Sequence, residues 1–543
     1  MTMSDPSQEY RRNGWWRSET FLDDLRRNIV AFPDKSALIS RRVADGVTDV
    51  VTYAELDRMT DRIAHGLVRL GVRPGDFIAI QLPNRRETLP LTLACMRIGA
   101  RIAPQMPIYR HRELDFMIRL TEAKLFVTTS RIGHVDTAET GMTLAREIPS
   151  LEHVIVVGGD GPPGSLDFDE HLLVPEPGDP ADLEGRELGP DDPFLILFTS
   201  GTTGEPKGAL HSQNTLYADI RGYGEAFGLD DNLVIMTAQT SMHYVGLVMA
   251  YLTALTLGGT AVTADAWDAG VYLDLMSDHD VTMYYGSPPF AREISEEQAA
   301  RPRELPALSI FVSGSAPVPP HLVERVTETL GVRVYALWGM TENGGVTMTR
   351  PQDPPERAGE SDGTVISGME VRIVDEDNKP VETGEIGALQ VRGAAQCLGY
   401  YLRDEIYAKS ITPDGWFDTG DLARDDGYGG VRISGRTKDV IIANMCLKLP
   451  VSDIEALLGR HPAIRDIALI GIPDPALVEQ VCAVVTPSGE PPTLEDLRTY
   501  LKDAGVNDWF WPERLELVEE MPRTVTGKIR KVELRERFGA ASG

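Results

Sequence analysis

Cysteine is scarce in this chain of 543 residues: Cys95, Cys397, Cys446 and Cys482 stand far apart, with no paired spacing. That excludes a disulfide framework and a zinc-ribbon pattern, and makes a reducing cytoplasm the expected setting. Long apolar runs are missing as well. No stretch approaches a membrane-spanning length, and Met1 to Ser18 lacks the apolar centre of a secretory signal, so a soluble protein with no membrane partner is expected. Positive charge is in deficit, with 53 Lys and Arg against 82 Asp and Glu and a formal net charge of −29. A surface of that sign repels phosphate backbones, which argues against nucleic acid as a general partner. The longest basic cluster, Lys528-Ile529-Arg530-Lys531, is short.

What is present is an ordinary globular composition, 42% hydrophobic and 25% charged, on a chain too long for one simple core. Several lobes are expected. Helical spacing runs from about Thr20 to Ala31, through Leu56, Met59, Ile63 and Leu67, and from Glu87 to Ile98. Thr52 with Glu55 has the pattern of a capping box. Phe77 to Leu82 reads as a strand, and the alternation up to about Val127 predicts an α/β layer with largely parallel pairing. Residues Gly159 to Pro193, rich in Gly, Pro, Asp and Glu, read as a surface loop. The last hundred or so residues read as a compact α+β unit. Ser452 and Glu455 would cap a helix there, Ile467 to Ile470 and Val481 to Val485 are strands, and Thr493 to Leu501 is an amphipathic helix.

The apolar run Phe194 to Phe198 leads directly into Thr199-Ser200-Gly201-Thr202-Thr203-Gly204-Glu205-Pro206-Lys207-Gly208. Here a buried strand gives way to a loop in which three glycines admit close approach of an anion, four hydroxyls add donors, and Lys207 adds positive charge. The spacing is not that of the Walker motif, because Lys207 follows a proline and precedes a glycine. It is a phosphate loop of another kind. Two further apolar runs, Val281 to Tyr285 and Leu308 to Val312, end in the small-residue loops Gly286-Ser287-Pro288-Pro289 and Ser313-Gly314-Ser315-Ala316-Pro317. Loops at the carboxyl ends of strands form the usual binding crevice of an α/β sheet. In Tyr335-Ala336-Leu337-Trp338-Gly339-Met340-Thr341-Glu342, Trp338 offers a face for a purine, Thr341 a donor for phosphate, and Glu342 a hard oxygen ligand for Mg²⁺.

In the phosphate loop, in Trp338-Gly339-Met340-Thr341-Glu342, in Trp416-Phe417-Asp418-Thr419-Gly420-Asp421, in Ser434-Gly435-Arg436-Thr437-Lys438-Asp439 and in Pro522-Arg523-Thr524-Val525-Thr526-Gly527-Lys528, the chain resembles the acyl-adenylate-forming (AMP-binding) enzymes. The superfamily includes acyl-CoA synthetases, luciferases and peptide-synthetase adenylation domains. The motifs come in the family's order over about residues 20 to 535. The fold implied is α/β: a large N-terminal domain, 1–435, of two β/α lobes plus a β-barrel-like part, and a small mobile α+β C-terminal domain, 436–543, with its hinge at about Lys438.

The resemblance implies ATP contacts from Thr199, Ser200, Gly201, Thr202, Thr203, Gly204, Lys207, Gly314, Ser315, Ala316, Trp338, Gly339, Thr341, Asp421, Arg436 and Lys528. Asp421 and Arg436 match the ribose-binding positions, and Lys528 the catalytic lysine that contacts the carboxylate and α-phosphate, beside Thr341 and Glu342. Mg²⁺ would lie at Glu342 and Thr202. His243, Tyr244, Gly246, Ser287, Gly339 and Gly344 match the acid pocket, with His243 gating entry of a thiol. Tyr244 stands where adenylation domains for α-amino acids carry Asp, and Gly339, Gly344 and Gly345 leave room beyond acetate. The resemblance therefore implies a cyclic, aromatic or medium-chain acid. Trp509-Phe510-Trp511-Pro512 and Leu449-Pro450-Val451 are similar to cyclohexanecarboxylate-type CoA ligases.

The implied reaction joins the acid to ATP with release of pyrophosphate, then passes the acyl group to CoA. One segment departs from the pattern. Where thioester-forming relatives have paired glycines after the hinge, this chain has Ala443-Asn444-Met445-Cys446-Leu447-Lys448-Leu449. Side chains would then fill space needed for close backbone approach. The alternative is an adenylate-forming enzyme that does not use CoA, for example an ATP-dependent diazotase activating nitrite against an aryl amine. The oligomeric state, a homodimer included, stays open at this level.

Overall fold

The computed structural model describes residues 6–173, 178–199, 206–315, 318, 320–375, 377–436, 441–443, 447–449, 451–474, 478–522, 529 and 531–539, and every count or absence below concerns these. Ser200, Gly201, Thr202, Thr203, Gly204, Ala316, Lys438 and Lys528 lie outside the described residues, as does the side chain of Arg436.

Two large sheets form the N-terminal domain. One has eight strands in the spatial order Gly399–Tyr400, Lys207–Ser212, Pro193–Thr199, Arg101–Pro104, Phe77–Gln81, Leu125–Thr129, His153–Val157 and Leu166–Asp167. Its middle is parallel, as the β/α alternation predicts, while Lys207–Ser212 turns back antiparallel on Pro193–Thr199. The stretch read as a loop adds the edge strand Leu166–Asp167 and the short helix Phe168–His171, and is otherwise largely irregular. The second sheet has nine strands. Ile310–Gly314 lies between Met283–Tyr285, the central strand, and Val334–Met340, both parallel to it, and Gly344–Met348 returns antiparallel on Val334–Met340.

One continuous core joins the two sheets, with Ile78, Ile102 and Leu195 from the first and Leu38, Ile235 and Leu337 from the second. Helix Thr88–Arg97 runs through it, buried along its whole length, which explains a sequence apolar on all sides. Helix Tyr53–Arg69 starts at Thr52, whose side chain accepts from Glu55 N–H and so satisfies one of the unpaired amides of the first turn. The expected barrel-like part is a four-stranded antiparallel sheet in the order Met369–Val374, Gly387–Gly393, Phe417–Asp425 and Val431–Arg436.

The small C-terminal domain is built on the antiparallel pair Ile464–Asp474 and Val478–Pro487, extended in parallel by Arg514–Leu517. Alternation sends Leu469, Val481, Ala483 and Val485 to one face, against helices Val451–Leu458 and Leu494–Asp503. Ala468, Ile470, Cys482 and Val484 go to the other, against Leu534 and Phe538 of helix Lys531–Gly539. The helix begins at Val451, one residue before the expected cap Ser452, whose side chain lies outside the described residues. Glu455 instead accepts from Leu469 N–H at 2.6 Å and pairs with Lys531 at 2.7 Å, pinning the helix to the sheet. The domain touches the first sheet's lobe where the Asn507 side chain donates to the Ile108 carbonyl and Ile108 packs on the small core.

Candidate active site

Strand Pro193–Thr199 ends the apolar run at the point where the phosphate loop begins, and the hairpin Val334–Met340/Gly344–Met348 brings Glu342 to that same end. Glu342 is 5% exposed. Its Oε1 accepts from Tyr400 Oη at 2.9 Å and from Thr199 Oγ1 at 3.3 Å, while Oε2 is buried with no hydrogen-bond partner. Lys207 Nζ sits 5.1 Å from the centre of the Tyr400 ring, placing a cation beside the pair. A buried carboxylate with one oxygen fixed and the other unsatisfied suits a hard divalent ion. No group of three acidic, His or Cys side chains gathers among the described residues. Mg²⁺ does not need one, because it keeps several waters and is bound through one or two carboxylates plus substrate phosphates. Glu342 fits that role.

Thr341 is held from below. His211 is fully buried, and burial pushes its pKa down to about 4, so the ring is neutral at ordinary pH. A carbonyl only accepts, so the ring's Nε2–H donates to the Thr341 carbonyl, 2.8 Å away. His211 also meets the Tyr244 ring edge-on at 5.6 Å. These contacts fix the backbone of the threonine expected to donate to phosphate.

Trp338 is only partly buried, leaving a face available, and its Nε1–H donates to Asp421 Oδ2 at 3.1 Å. Asp421 lies opposite Arg436 in the ladder between Phe417–Asp425 and Val431–Arg436, so the two expected ribose positions are register partners. Ser315, just past strand Ile310–Gly314, has φ of +69°, a left-handed conformation that a serine adopts only under local constraint. At Gly314 an added Cβ would press on the Leu337 carbonyl and lie 2.8 Å from Tyr285 Oη. Only a glycine allows the strands to close there.

Of the expected pocket residues, Gly344 is brought against both Tyr244 and Gly339. His243 and Tyr244 precede a π-helical stretch, Val245–Leu252, of a kind that is often found at functional sites. A Cβ on Gly246 would collide with the Thr240 carbonyl, and one on Gly339 with the Gly344 carbonyl. Ser287 is buried at the start of helix Pro288–Ala300, with its hydroxyl unpartnered. Gly344 has φ of +65°, and a Cβ there would lie 2.7 Å from both Tyr244 Oη and Asp219 Cγ.

Three residues given no role from the sequence belong to this arrangement: His211, Tyr400 and Asp219. Asp219 left a signal. In helix Gln213–Phe227 it sits on the buried stripe of Leu216, Ile220 and Tyr223, where a carboxylate is out of place. Tyr400 left none, because it arrives on a two-residue edge strand paired with Lys207–Ser212.

Comparison with known proteins identifies the family. The AMP-binding enzyme family matches residues 25–401, and the AMP-binding enzyme C-terminal domain matches residues 453–528. The chain is 33% identical to triostin synthetase I of Streptomyces triostinicus over 97% of its own length and 96% of the relative's. It is also 33% identical to a salicylyl-CoA synthase / salicylate adenylyltransferase of a Streptomyces species, over 98% and 96%. Among solved structures, amide bond synthetase McbA from Marinactinospora thermotolerans superposes with a TM-score of 0.83 at 26% identity, covering 96% of this chain and 100% of that one. The chain belongs to the AMP-binding enzyme family and is an adenylate-forming enzyme.

Proposed function

We propose that the protein activates an aromatic or cyclic carboxylic acid as its acyl-adenylate, releasing pyrophosphate, and then transfers the acyl group to CoA. The observation that carries the first half is the convergence of Glu342, Thr341 and the Trp338–Asp421 pair at the end of strand Pro193–Thr199. A carboxylate oxygen attacks the α-phosphorus, the bond to the bridging oxygen breaks, and pyrophosphate leaves with the electron pair. Both reactants are anionic, so the site must offset charge and align them. Thr341 would donate to the α-phosphate, Trp338 would face the purine, and Asp421 with Arg436 would fix the ribose. Lys207 and the residues of the phosphate loop, Ser200 to Gly204, would take the outer phosphates, and Gly314, Ser315 and Ala316 would line the adenine. Mg²⁺ held at Glu342, with Thr202 nearby, would neutralise phosphate charge. Lys528 would reach the carboxylate and α-phosphate from the C-terminal domain, which would turn about Lys438 between the two half-reactions.

The acid would lie among His243, Tyr244, Gly246, Ser287, Gly339 and Gly344. Relatives whose names include salicylate support an aryl acid. In the second half the CoA thiolate would attack the acyl carbon and AMP would leave. The domain boundary near residue 436 and a cytoplasmic setting belong to the same reading.

One observation favours a second reading. Ile442–Ala443 and Leu447–Lys448 pair antiparallel, with Ile442 opposite Lys448 and Ala443 opposite Leu447, and between them the sequence carries Asn444, Met445 and Cys446 where thioester-forming relatives have paired glycines. Under that reading the adenylate goes to an acceptor other than CoA, for example in a diazotase-like activation of nitrite against an aryl amine. Pyrophosphate release measured over a panel of acids, with and without CoA, separates the two. CoA-dependent thioester formation supports the first, and turnover indifferent to CoA overturns it.

A further inference from the structure

One side chain of the first sheet's lobe reaches across to the segment that carries His243, and the adenylation chemistry makes no direct use of it. Asn84 follows strand Phe77–Gln81 of the eight-stranded sheet and is 6% exposed. Its Oδ1 accepts from Ser241 N–H at 2.6 Å, and its Nδ2 donates to the Gln239 carbonyl at 3.2 Å. These partners fix which way the amide faces, because an N–H only donates and a carbonyl only accepts. The two bonds lie on either side of Thr240, so the side-chain amide takes the place of a neighbouring peptide group and satisfies backbone that is otherwise buried. The buried Tyr272 hydroxyl, from helix Ala269–Asp278, hydrogen-bonds to the same amide.

The clasped segment leaves strand Val234–Thr237 of the nine-stranded sheet and runs to His243. Local bonds shape its turns: Thr237 Oγ1 accepts from Gln239 N–H at 3.0 Å, and Thr240 Oγ1 from Met242 N–H at 3.1 Å. The Thr240 carbonyl accepts from His243 N–H at 3.0 Å. Gly246 packs so closely on Thr240 and Ser241 that no Cβ fits there. His243 Nδ1 accepts from Val245 N–H at 3.3 Å, so the neutral ring carries its proton on Nε2. Thr240 and Ser241 thus set the positions of both His243 and Gly246, and Asn84 ties them to the eight-stranded sheet.

Resting on the adenylation reading above, in which His243 and Gly246 line the acid pocket, we infer that Asn84 is a positioning residue for the acid: its two bonds hold Gln239–Ser241 where His243 meets the bound substrate. It acts through the backbone. Without the amide, Ser241 N–H and the Gln239 carbonyl lose buried partners, and each recovers one only by moving. That movement carries His243 with it, because the Thr240 carbonyl holds the His243 amide. A misplacement of about 1 Å is enough to spoil the alignment of reacting groups. The proposed ATP contacts at Trp338 and Asp421 come from strands Val334–Met340 and Phe417–Asp425, outside the clasp, so the effect falls on the acid and not on ATP.

The test compares wild type with Asn84→Ala, Asn84→Ser, His243→Ala and the double variant Asn84→Ala with His243→Ala, using benzoate and ring-substituted benzoates. Two readouts are taken: pyrophosphate release with ATP and acid each varied in turn, and equilibrium binding of each by calorimetry, which needs no turnover. Asn84→Ala is expected to raise the KM and the calorimetric Kd of the best acid about tenfold, the scale of two buried hydrogen bonds, and the KM for ATP by less than about twofold. In the His243→Ala background the same change should cost less than about threefold, because a residue that acts through another adds little once that other is gone. Asn84→Ser, which keeps a polar group too short to span both partners, should fall between, and it decides the comparison alone if Asn84→Ala does not fold. An unchanged KM for the acid overturns the inference even where Tm falls, since a tie between lobes with no bearing on the pocket predicts that result. Equal rises for acid and ATP overturn it too, as does full additivity with His243→Ala. If no acid gives pyrophosphate with wild type, the adenylation reading fails, and the calorimetric affinities for acid alone decide the role of Asn84.

Discussion

Trp338 Nε1 donates to Asp421 Oδ2 at 3.1 Å, tying the residue expected to face the purine to the residue expected to bind the ribose. The two lie 83 positions apart, on the second large sheet and on the four-stranded sheet. On the proposed reading, a single side chain would serve both halves of the nucleoside, with its face towards the base and its edge on the carboxylate.

The consequence is a graded pair of variants. Trp338→Phe keeps an aromatic face and loses the donor, so the KM for ATP should rise about fivefold, the size of a typical hydrogen bond in this setting. Trp338→Ala loses both and should raise it further, with little change in the KM for the acid. Initial rates of pyrophosphate release with each substrate varied in turn check this. Equal KM values for ATP in Trp338→Phe and wild type would remove the edge contact from the account.

Glu342 and Tyr400 yield a second contrast. Glu342→Gln removes the charge that would hold Mg²⁺ and should raise the Mg²⁺ concentration needed for half-maximal rate by at least about tenfold. Tyr400→Phe removes only the 2.9 Å bond that fixes Oε1 and should shift it a few-fold. Mg²⁺-dependent ATP binding, followed by tryptophan fluorescence, provides a readout apart from turnover. An unchanged Mg²⁺ titration in Glu342→Gln would show that the metal lies elsewhere.

The elements that position the site were legible to different degrees. Strand Pro193–Thr199 and the strand leading to Ser315 were marked by apolar runs broken by small residues, a pattern that survives folding because both are buried on each face. The capping of helix Tyr53–Arg69 was local and therefore readable at Thr52. At Val451–Leu458 local reading could not supply the partners of Glu455, Leu469 and Lys531, because tertiary packing contributes them. Glu342, Trp338 and Asp421 were found through motif positions, but nothing in the sequence said that Trp338 and Asp421 bond to each other, or that Tyr400 completes the Glu342 pair. Asp219 was visible as a charge on an apolar stripe, yet its meaning needed the approach of Tyr244 and Gly344 from other elements.

The buried pair Asp219 and His211 gives opposite pH dependences. Asp219 has its folded pKa raised from 3.8 to about 7, so its neutral form favours folding and the stability it contributes is lost as pH rises from about 4 to 7. His211 has its folded pKa lowered from 6.5 to about 4, so stability is lost as pH falls from about 6.5 to 4. The two largely cancel in wild type over the same window. Asp219→Asn should unmask the histidine slope, giving a Tm that rises with pH between about 4 and 6.5 relative to wild type. His211→Gln should show the reverse trend. Parallel Tm–pH curves for wild type and both variants would contradict both assignments.

On the proposed reading, Lys528 would divide the half-reactions. If it offsets charge at the α-phosphate only during adenylation, Lys528→Ala should slow pyrophosphate release by about 100-fold or more, in the range seen when a preorganised charge-stabilising donor is removed. Conversion of a supplied acyl-adenylate should change far less. Rapid-quench measurement of each step separately is the check, and equal losses in both would assign Lys528 to the fold or to the second step as well.

On the proposed reading, the acceptor would be decided at the segment after the hinge expected at about Lys438. Ile442–Ala443 and Leu447–Lys448 keep backbone pairing there, and Ile442 N–H is further fixed by the Glu479 carboxylate at 2.6 Å, so the segment is anchored to the C-terminal domain. The segment between these paired strands would, on that reading, either line a path for the pantetheine arm or block it. If it lines one, the unmodified protein should form one AMP and one CoA thioester per acid consumed, and Asn444→Gly with Met445→Gly should alter the KM for CoA only a few-fold. If it blocks one, CoA should not stimulate wild type, and the double glycine variant should gain CoA-dependent thioester formation by tenfold or more. Chromatographic separation of acyl-adenylate, thioester and AMP distinguishes the cases. Because the residues proposed to contact ATP, Lys528 apart, belong to the N-terminal domain, pyrophosphate release in the absence of CoA should be the same for wild type and the glycine variant. A parallel loss of that rate would mean that the hairpin takes part in the first half-reaction too.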